Sequence, residues 1–332
     1  MEMRDFGRTG LRTSILGFGC GAVGGLMVRG DPKLQERTIA RALDAGVNYF
    51  DTAWQYGEGE SERNLGRALK ALKPANVIVG TKVRLQAEDY SRIGPAIAAS
   101  LDGSLARLGL PRVDIFYLHN SIARAGGQGV YSVEQVMNEA VPALERLRDQ
   151  GKIGVLGLTA VGETAALHEV IGSGRFGGAQ VTYNMLNPSA GGPLPPRYPA
   201  QDHERLFDRT QAAGCGVVGI RVLAGGALSG SMARHPIASP PPAPIASAAT
   251  YEGDVGRAQR LMPLVSEGFA ASLTEAATRF AISHPAMGSI LVGMATAEEF
   301  EAALAAVLKG PLPATALDRL AELQRGFAGE PR

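Results

Sequence analysis

Short runs of apolar, largely β-branched residues alternate along the chain with longer segments whose apolar positions recur every three to four residues. The first kind predicts strands buried on both faces, the second amphipathic helices. Strands are predicted at Ile15–Cys20, Val47–Phe50, Asn76–Val83, Val113–Leu118, Lys152–Thr159, Ala179–Tyr183, Gly216–Val222 and Ser289–Val292. Helices are predicted at Leu34–Ala45, Ser61–Leu72, Ser91–Leu108, Val133–Gln150, Glu163–Ile171, His203–Ala213, Leu273–Ser283 and Ala297–Leu308. Gly46 and Gly109 stand where C-terminal caps belong, Ser61 reads as an N-cap, and Pro142 predicts a kink.

Strict strand–helix alternation excludes sandwiches and helical bundles. Eight such pairs fit a (β/α)8 TIM barrel in one domain, 1–332. A doubly wound sheet is the rival, but eight units make a very wide open sheet. GFGCGAVGG also lacks the spacing of a dinucleotide fingerprint, and its next acid, Asp31, stands too near. Three irregular stretches, 121–131, 188–202 and the Pro-rich 232–256, each follow a predicted strand, which makes them long loops on the barrel's C-terminal face.

Composition narrows the function classes. A formal net charge of +1, without a Lys/Arg cluster, argues against nucleic acid as a partner. No stretch of about 20 apolar residues predicts a membrane span. The opening MEMRDFGRTG lacks a signal-peptide core, so a cytoplasmic location is expected, with Cys20 and Cys215 reduced. No Cys/His set has metal-ligand spacing, so no metal is expected.

Titratable residues interrupt three consecutive apolar strand ends: Asp51 in VNYFDTAWQYG, Lys82 in VIVGTKV and His119 in VDIFYLHN, with Tyr56 five residues past Asp51. In a barrel these side chains converge on the catalytic face. An ammonium beside a tyrosine favours phenolate and lowers the phenol's pKa, Asp51 can pair with Lys82, and His119 can hydrogen-bond a carbonyl oxygen. Such a pocket protonates an alkoxide as it forms, which is half of a carbonyl reduction. The missing hydride implies a cofactor.

These motifs, with GRTGLRTSILGFGCGAVGG, DTAWQYGEGESERNLGRAL, GKI and QVTYN in order, resemble the aldo-keto reductases, including the potassium-channel β-subunit branch, over about residues 3–310. The resemblance implies a (β/α)8 barrel, a nicotinamide cofactor across its mouth, NADP(H) or NAD(H), and the catalytic tetrad Asp51, Tyr56, Lys82 and His119. It also implies cofactor contacts from Gly21, Thr159, Gln180, Ile220, Arg221, Leu223, Gly225, Gly293, Met294 and Glu299. Trp54 and Asn120 are expected to line the substrate pocket.

The chain departs from the family pattern in places. Thr159-Ala160 replaces the Ser-Asn pair that holds the nicotinamide carboxamide, while Gln180 matches the carboxamide glutamine. Ile220 stands where an aromatic usually stacks. Arg221 is expected near the pyrophosphate. Glu299 stands where NADP-specific members carry a basic residue, which weakens the family's preference for NADP. The expected function is reduction of an aldehyde or ketone with Tyr56 as general acid. The alternatives are an NAD-dependent aldose 1-dehydrogenase and a cofactor-binding regulatory subunit. The expected partner is a small carbonyl or sugar substrate, and the chain a monomer or weak homo-oligomer.

Overall fold

The structure, a computed structural model, describes residues 1–243 and 246–331. Pro244 and Ile245, inside the predicted 232–256 loop, lie outside the described residues.

Eight parallel strands close into a barrel: β1 (Leu16–Gly19), β2 (Tyr49–Asp51), β3 (Ile78–Val83), β4 (Val113–Leu118), β5 (Ile153–Ala160), β6 (Gly178–Thr182), β7 (Gly216–Ile220) and β8 (Met287–Gly293). Each pairs with the next in sequence, and closure comes from β8 against β1, with Ile290 opposite Leu16 and Gly293 opposite Gly19. The predicted TIM barrel is therefore the observed fold.

Two cores hold it together. The larger lies between the strands and the surrounding helices. Helix Ile93–Leu108, for example, buries Ile97, Leu101 and Leu108 one or two turns apart. Truncating one such leucine to alanine costs about 2–5 kcal/mol. The smaller core fills the barrel with Tyr49, Ile78, Ile115, Tyr117, Val218 and Phe6. Phe6 comes from the turn of an N-terminal hairpin, in which Met3–Asp5 pairs with Arg12–Ser14. Its ring closes the end of the barrel where strands begin. A Cβ on Gly216 or Gly178 would come within 2.6 or 2.9 Å of it, so both positions require glycine.

Local chemistry moves several predicted boundaries. The first barrel helix starts at Pro32, because Asp31 accepts hydrogen bonds from the Lys33 and Leu34 amides. Gly46, at φ 84°, follows that helix, and Gly109, at φ 65°, caps the third. Ser61 is not an N-cap. Helix Glu60–Leu72 starts after Gly59, and the Ser61 hydroxyl instead bonds the Cys20 carbonyl and Thr52 Oγ1, tying the helix to the mouth. Beside Pro142, where a kink is predicted, the helix is irregular: the turn Val136–Ala140 is π-helical and widens the helix just before Val141–Asp149. The sixth helix spans only Leu206–Ala213, since Glu204 and Arg205 have positive φ.

The long loops do lie after strand ends. Stretch 121–131 includes the short paired strands Ser121–Ala123 and Val130–Ser132. Stretch 188–202 is held by Ser189 and by Tyr198, whose hydroxyl donates to the Leu186 carbonyl. Stretch 232–256 runs into helix Tyr251–Gln259.

Candidate active site

Parallel pairing sets the frame. Asp51 ends β2 opposite Gly80, Lys82 lies on β3 opposite Tyr117 on β4, and Thr159 on β5 faces Gln180 on β6. His119 follows β4 directly and donates its backbone amide to the Val83 carbonyl. Strand alternation then turns Asp51, Lys82, Thr159 and Gln180 toward one another at the mouth.

Lys82 is fully buried, in direct contact with Asp51 Oδ1, and its Nζ also donates to the Thr52 carbonyl at 2.8 Å. Asp51 Oδ2 accepts from Tyr49 at 3.0 Å and from Gln180 Nε2 at 2.5 Å. The Tyr49 hydroxyl meets that of Tyr117 at 3.0 Å, so a polar chain runs from the barrel interior up to the carboxylate. Burial pushes the Asp51 carboxyl up, against the pull of Lys82 and three hydrogen bonds. Burial opposes the Lys82 ammonium, but Asp51 and Tyr56 outweigh it and hold Lys82 above its ordinary value.

Tyr56 sits in the turn after β2, fixed by its amide donating to the Ala53 carbonyl at 3.1 Å. The Lys82 ammonium lies 4.7 Å from its ring centroid. The His119 ring meets it edge-on, centroids 6.4 Å apart. The expectation that Lys82 lowers the tyrosine's pKa is only half met. Lys82 does pull it down, but burial is the larger effect and leaves the phenol above its ordinary value. His119 Nδ1 lies 2.9 Å from Thr159 Oγ1, which donates in turn toward Gln180 Oε1 at 3.3 Å. Burial, followed by Lys82, Arg84 and Arg221, lowers His119 to about 3, so its imidazole is neutral near pH 7.

The other predicted cofactor residues lie at the ends of β7 and β8 or in the segments that follow β7, β8 and β1. Ile220 ends β7 and packs on the barrel core. Arg221 follows at φ 57°, its carbonyl held by Asn184 Nδ2 at 3.1 Å, and its half-buried side chain lines a cleft with Ala160, Thr182 and Ser247. No carboxylate pairs with it among the described residues. Leu223 leads into a turn in which Gly225 and Gly226 take φ 69° and 109°. Arg234 bonds the Gly225 carbonyl at 2.8 Å and the Val23 carbonyl at 3.4 Å, linking that turn to the loop after β1.

In the loop after β1, Gly21 has open space around its Cα. Gly24 lies so close to Met294 that a Cβ would come within 2.3 Å of the Met294 amide nitrogen, and Leu26 N bonds the Met294 carbonyl. Gly293 is exposed and Met294 buried. Glu299 lies in the first turn of helix Ala297–Leu308 and accepts from the Ala295 amide at 2.6 Å. An unpaired arginine beside positive-φ glycines and an open Gly21 fits the charged diphosphate of a dinucleotide.

Of the two expected substrate residues, Trp54 is 36% exposed at the mouth. Asn120 is buried, with its amide committed to Leu85 and Gly129, so it orders two loops. Sequence reasoning overlooked Tyr49 and Tyr117. The two tyrosines carried a signal, since Tyr49 lies two residues before Asp51 and Tyr117 two before His119, on the same side of each strand.

A model of the aldo/keto reductase family matches residues 15–325. The chain belongs to this family of oxidoreductases, which work with nicotinamide cofactors. It is 34% identical to L-galactose dehydrogenase of Arabidopsis thaliana over 48% of this chain and 49% of that protein. It is 30% identical to D-threo-aldose 1-dehydrogenase of a Pseudomonas species over 45% and 50% of the two chains. The match thus spans about half the length of these relatives. Pyridoxal 4-dehydrogenase of Microbacterium luteolum is 27% identical over 90% of both chains. The solved holo form of an aldo-keto reductase from Bacillus halodurans, 24% identical, superposes with a TM-score of 0.71 over 97% of this chain and 96% of its own, a likeness of fold.

Proposed function

We propose that the protein interconverts a carbonyl compound and its alcohol with a nicotinamide cofactor, with Tyr56 as the general acid in reduction and its phenolate as the base in oxidation. The observation that carries this reading is the meeting of Tyr56, Lys82 and His119 over the buried Asp51. The nicotinamide, when bound, supplies or accepts the hydride. Arg221 and the Leu223–Gly226 turn would hold its diphosphate, Thr159 and the remaining N–H of Gln180 its carboxamide, and the Glu299 region its adenosine ribose.

Tyr56 stays protonated near neutral pH, as a proton donor must. Lys82 is charged and immobile, so it stabilises the phenolate left after proton transfer. Asp51, Thr52 and the tyrosine chain below fix the ammonium at low exposure, where its charge is poorly screened. Neutral His119, oriented by Thr159, hydrogen-bonds the substrate oxygen without adding a second positive charge.

A second reading, oxidation of an aldose at its anomeric carbon, is favoured by two relatives named as sugar dehydrogenases. Glu299 supports NAD over NADP, since a carboxylate repels a 2′-phosphate and accepts from a free 2′-hydroxyl. Initial rates with NADH or NADPH plus aldehydes and ketones, against NAD or NADP plus aldoses, test both readings. Turnover of at least one class, lost in Tyr56→Phe, is expected. A protein that binds cofactor but turns over neither class would overturn the proposal and favour a regulatory role.

A further inference from the structure

A row of hydrogen bonds crosses the mouth from Asp51 to His119, and its first member sets the direction of the rest. Asp51, paired with the Lys82 ammonium, is a carboxylate and can only accept. Its Oδ2 therefore takes the amide nitrogen of Gln180, Nε2, at 2.5 Å. That turns the amide oxygen, Oε1, toward Thr159. An amide oxygen also only accepts, so the single proton of the Thr159 hydroxyl is spent on Gln180 Oε1 at 3.3 Å. Thr159 Oγ1 then has only lone pairs to offer His119 Nδ1, 2.9 Å away. The donor in that contact is Nδ1, which must carry a proton.

Burial, with Lys82, Arg84 and Arg221 nearby, keeps the imidazole neutral near pH 7, so it has one ring proton. With that proton on Nδ1, Nε2 carries a lone pair. Nε2 has no hydrogen-bond partner among the described residues and is not sealed from solvent. The ring also meets Tyr56 edge-on. On the proposed reading, Nε2 is the His119 atom left for the substrate oxygen. A carbonyl oxygen only accepts: it gains a bond from the Tyr56 hydroxyl and meets a second acceptor at His119. An alcohol hydroxyl accepts from Tyr56 and donates to His119, so both of its contacts are satisfied.

We propose that His119 faces the substrate as a hydrogen-bond acceptor, its proton held on Nδ1 by the row Thr159–Gln180–Asp51, so that the ligand the site selects is the alcohol rather than the carbonyl compound. The place of the substrate oxygen rests on the proposed oxidoreductase reading. Thr159 and Gln180 act here as positioning residues, through His119. A site with a buried acceptor discriminates against a ligand that cannot donate to it, because its own polar atom is left unpaired.

The test begins with a long-range nitrogen–proton correlation spectrum of the histidine rings in the full-length, isotopically labelled protein at pH 7, free and saturated with NAD. His119→Asn identifies the His119 signals. The expected pattern is a protonated Nδ1 and a bare Nε2 in both states. Dissociation constants from the NAD complex are then compared for ligands that cannot react there: cyclohexanone against 1-methylcyclohexanol, and acetophenone against 2-phenyl-2-propanol. Each tertiary alcohol should bind at least tenfold more tightly than its ketone. Thr159→Val should move the proton partly onto Nε2 and cut that preference at least fivefold, whereas Thr159→Ser, which keeps the hydroxyl, should retain both. A wild-type proton on Nε2, or no alcohol that binds more tightly than its ketone, overturns the inference and leaves the oxidoreductase reading intact. A Thr159→Val protein with the wild-type spectrum and preference overturns it as well. If Thr159→Val fails to fold, the wild-type spectrum and the two ligand pairs decide. A wild type that turns over no alcohol, aldehyde or ketone with either cofactor overturns the oxidoreductase reading and this inference with it.

Discussion

Asp51, Lys82, Thr159 and Gln180, at strand ends, satisfy one another's hydrogen bonds, whereas the side chains of Gln55 and Arg221, on the rim loops, meet no comparable partners among the described residues. The first group sits on a ladder whose register fixes each Cα, and the bonds between side chains then fix the rotamers. The second sits on turns held by a few backbone bonds. Groups that partner each other are held for position, and Arg221, which lines a cleft without a carboxylate partner among the described residues, is available to a ligand. On this division, changes in the floor should damage chemistry and stability together, and changes on the rim should alter binding alone.

The largest effect expected is from Tyr56→Phe, which removes the proposed proton donor. Turnover should fall by about 10²–10⁴-fold, the usual worth of a positioned acid, while cofactor Kd stays within about twofold. Stopped assays and fluorescence titration measure the two. Lys82→Met breaks a buried pair and leaves Asp51 without its cation, a loss of about 3–5 kcal/mol in denaturant unfolding, accompanied by loss of turnover. Arg221→Met should do the reverse. With no carboxylate to strand, stability should hold, while cofactor affinity weakens about tenfold or more, since a charge-assisted bond is worth roughly 1.5–3 kcal/mol and 1.4 kcal/mol is one decade. An Arg221→Met protein that loses stability but binds cofactor normally would erase the distinction between floor and rim.

Glu299→Arg sharpens the rim side. It should shift the NADPH/NADH ratio of dissociation constants about tenfold toward NADPH. It should also cost about 0.5–2 kcal/mol of stability, because the Ala295 amide loses its acceptor. A ratio that does not move would take the ribose role from Glu299 and leave only the capping role.

The smallest effect is in pH. His119 is depressed to about 3 and Tyr56 raised above its ordinary value, so neither changes charge between about pH 5 and 8. The kcat/KM for reduction should be level there and fall only on the alkaline side, as the phenol ionises. For stability the sign is opposite for acid. A histidine whose folded value is depressed contributes stability above its ordinary value near 6.5, and that contribution is lost as pH falls toward 3. Thermal midpoints should decline through that window, less steeply in His119→Asn. An inflection in rate near pH 6–7 would show that His119 titrates normally.

The sequence by itself determined the barrel, its eight strands, the order of the elements and the meeting of Asp51, Tyr56, Lys82 and His119 at one mouth. All of these follow from local signals: apolar runs bounded by glycine, helical periodicity, and titratable residues where apolar strands end. Parallel pairing turned that spacing into convergence, because side chains two apart on a strand share a face. Only the tertiary structure decided which polar groups are satisfied. Ser61 has the residue type of a cap yet bonds Cys20 and Thr52 across the mouth. Asn120 has the position of a substrate residue yet spends its amide on two loops. Gln55 looks like any loop glutamine, yet its amide is sealed from solvent without a hydrogen-bond partner among the described residues. Lys82 was placed to acidify Tyr56, but desolvation, which depends on everything packed around the ring, outweighs a single neighbouring charge. Hydrogen-bond satisfaction and burial are sums over neighbours distant in sequence, so no local pattern encodes them.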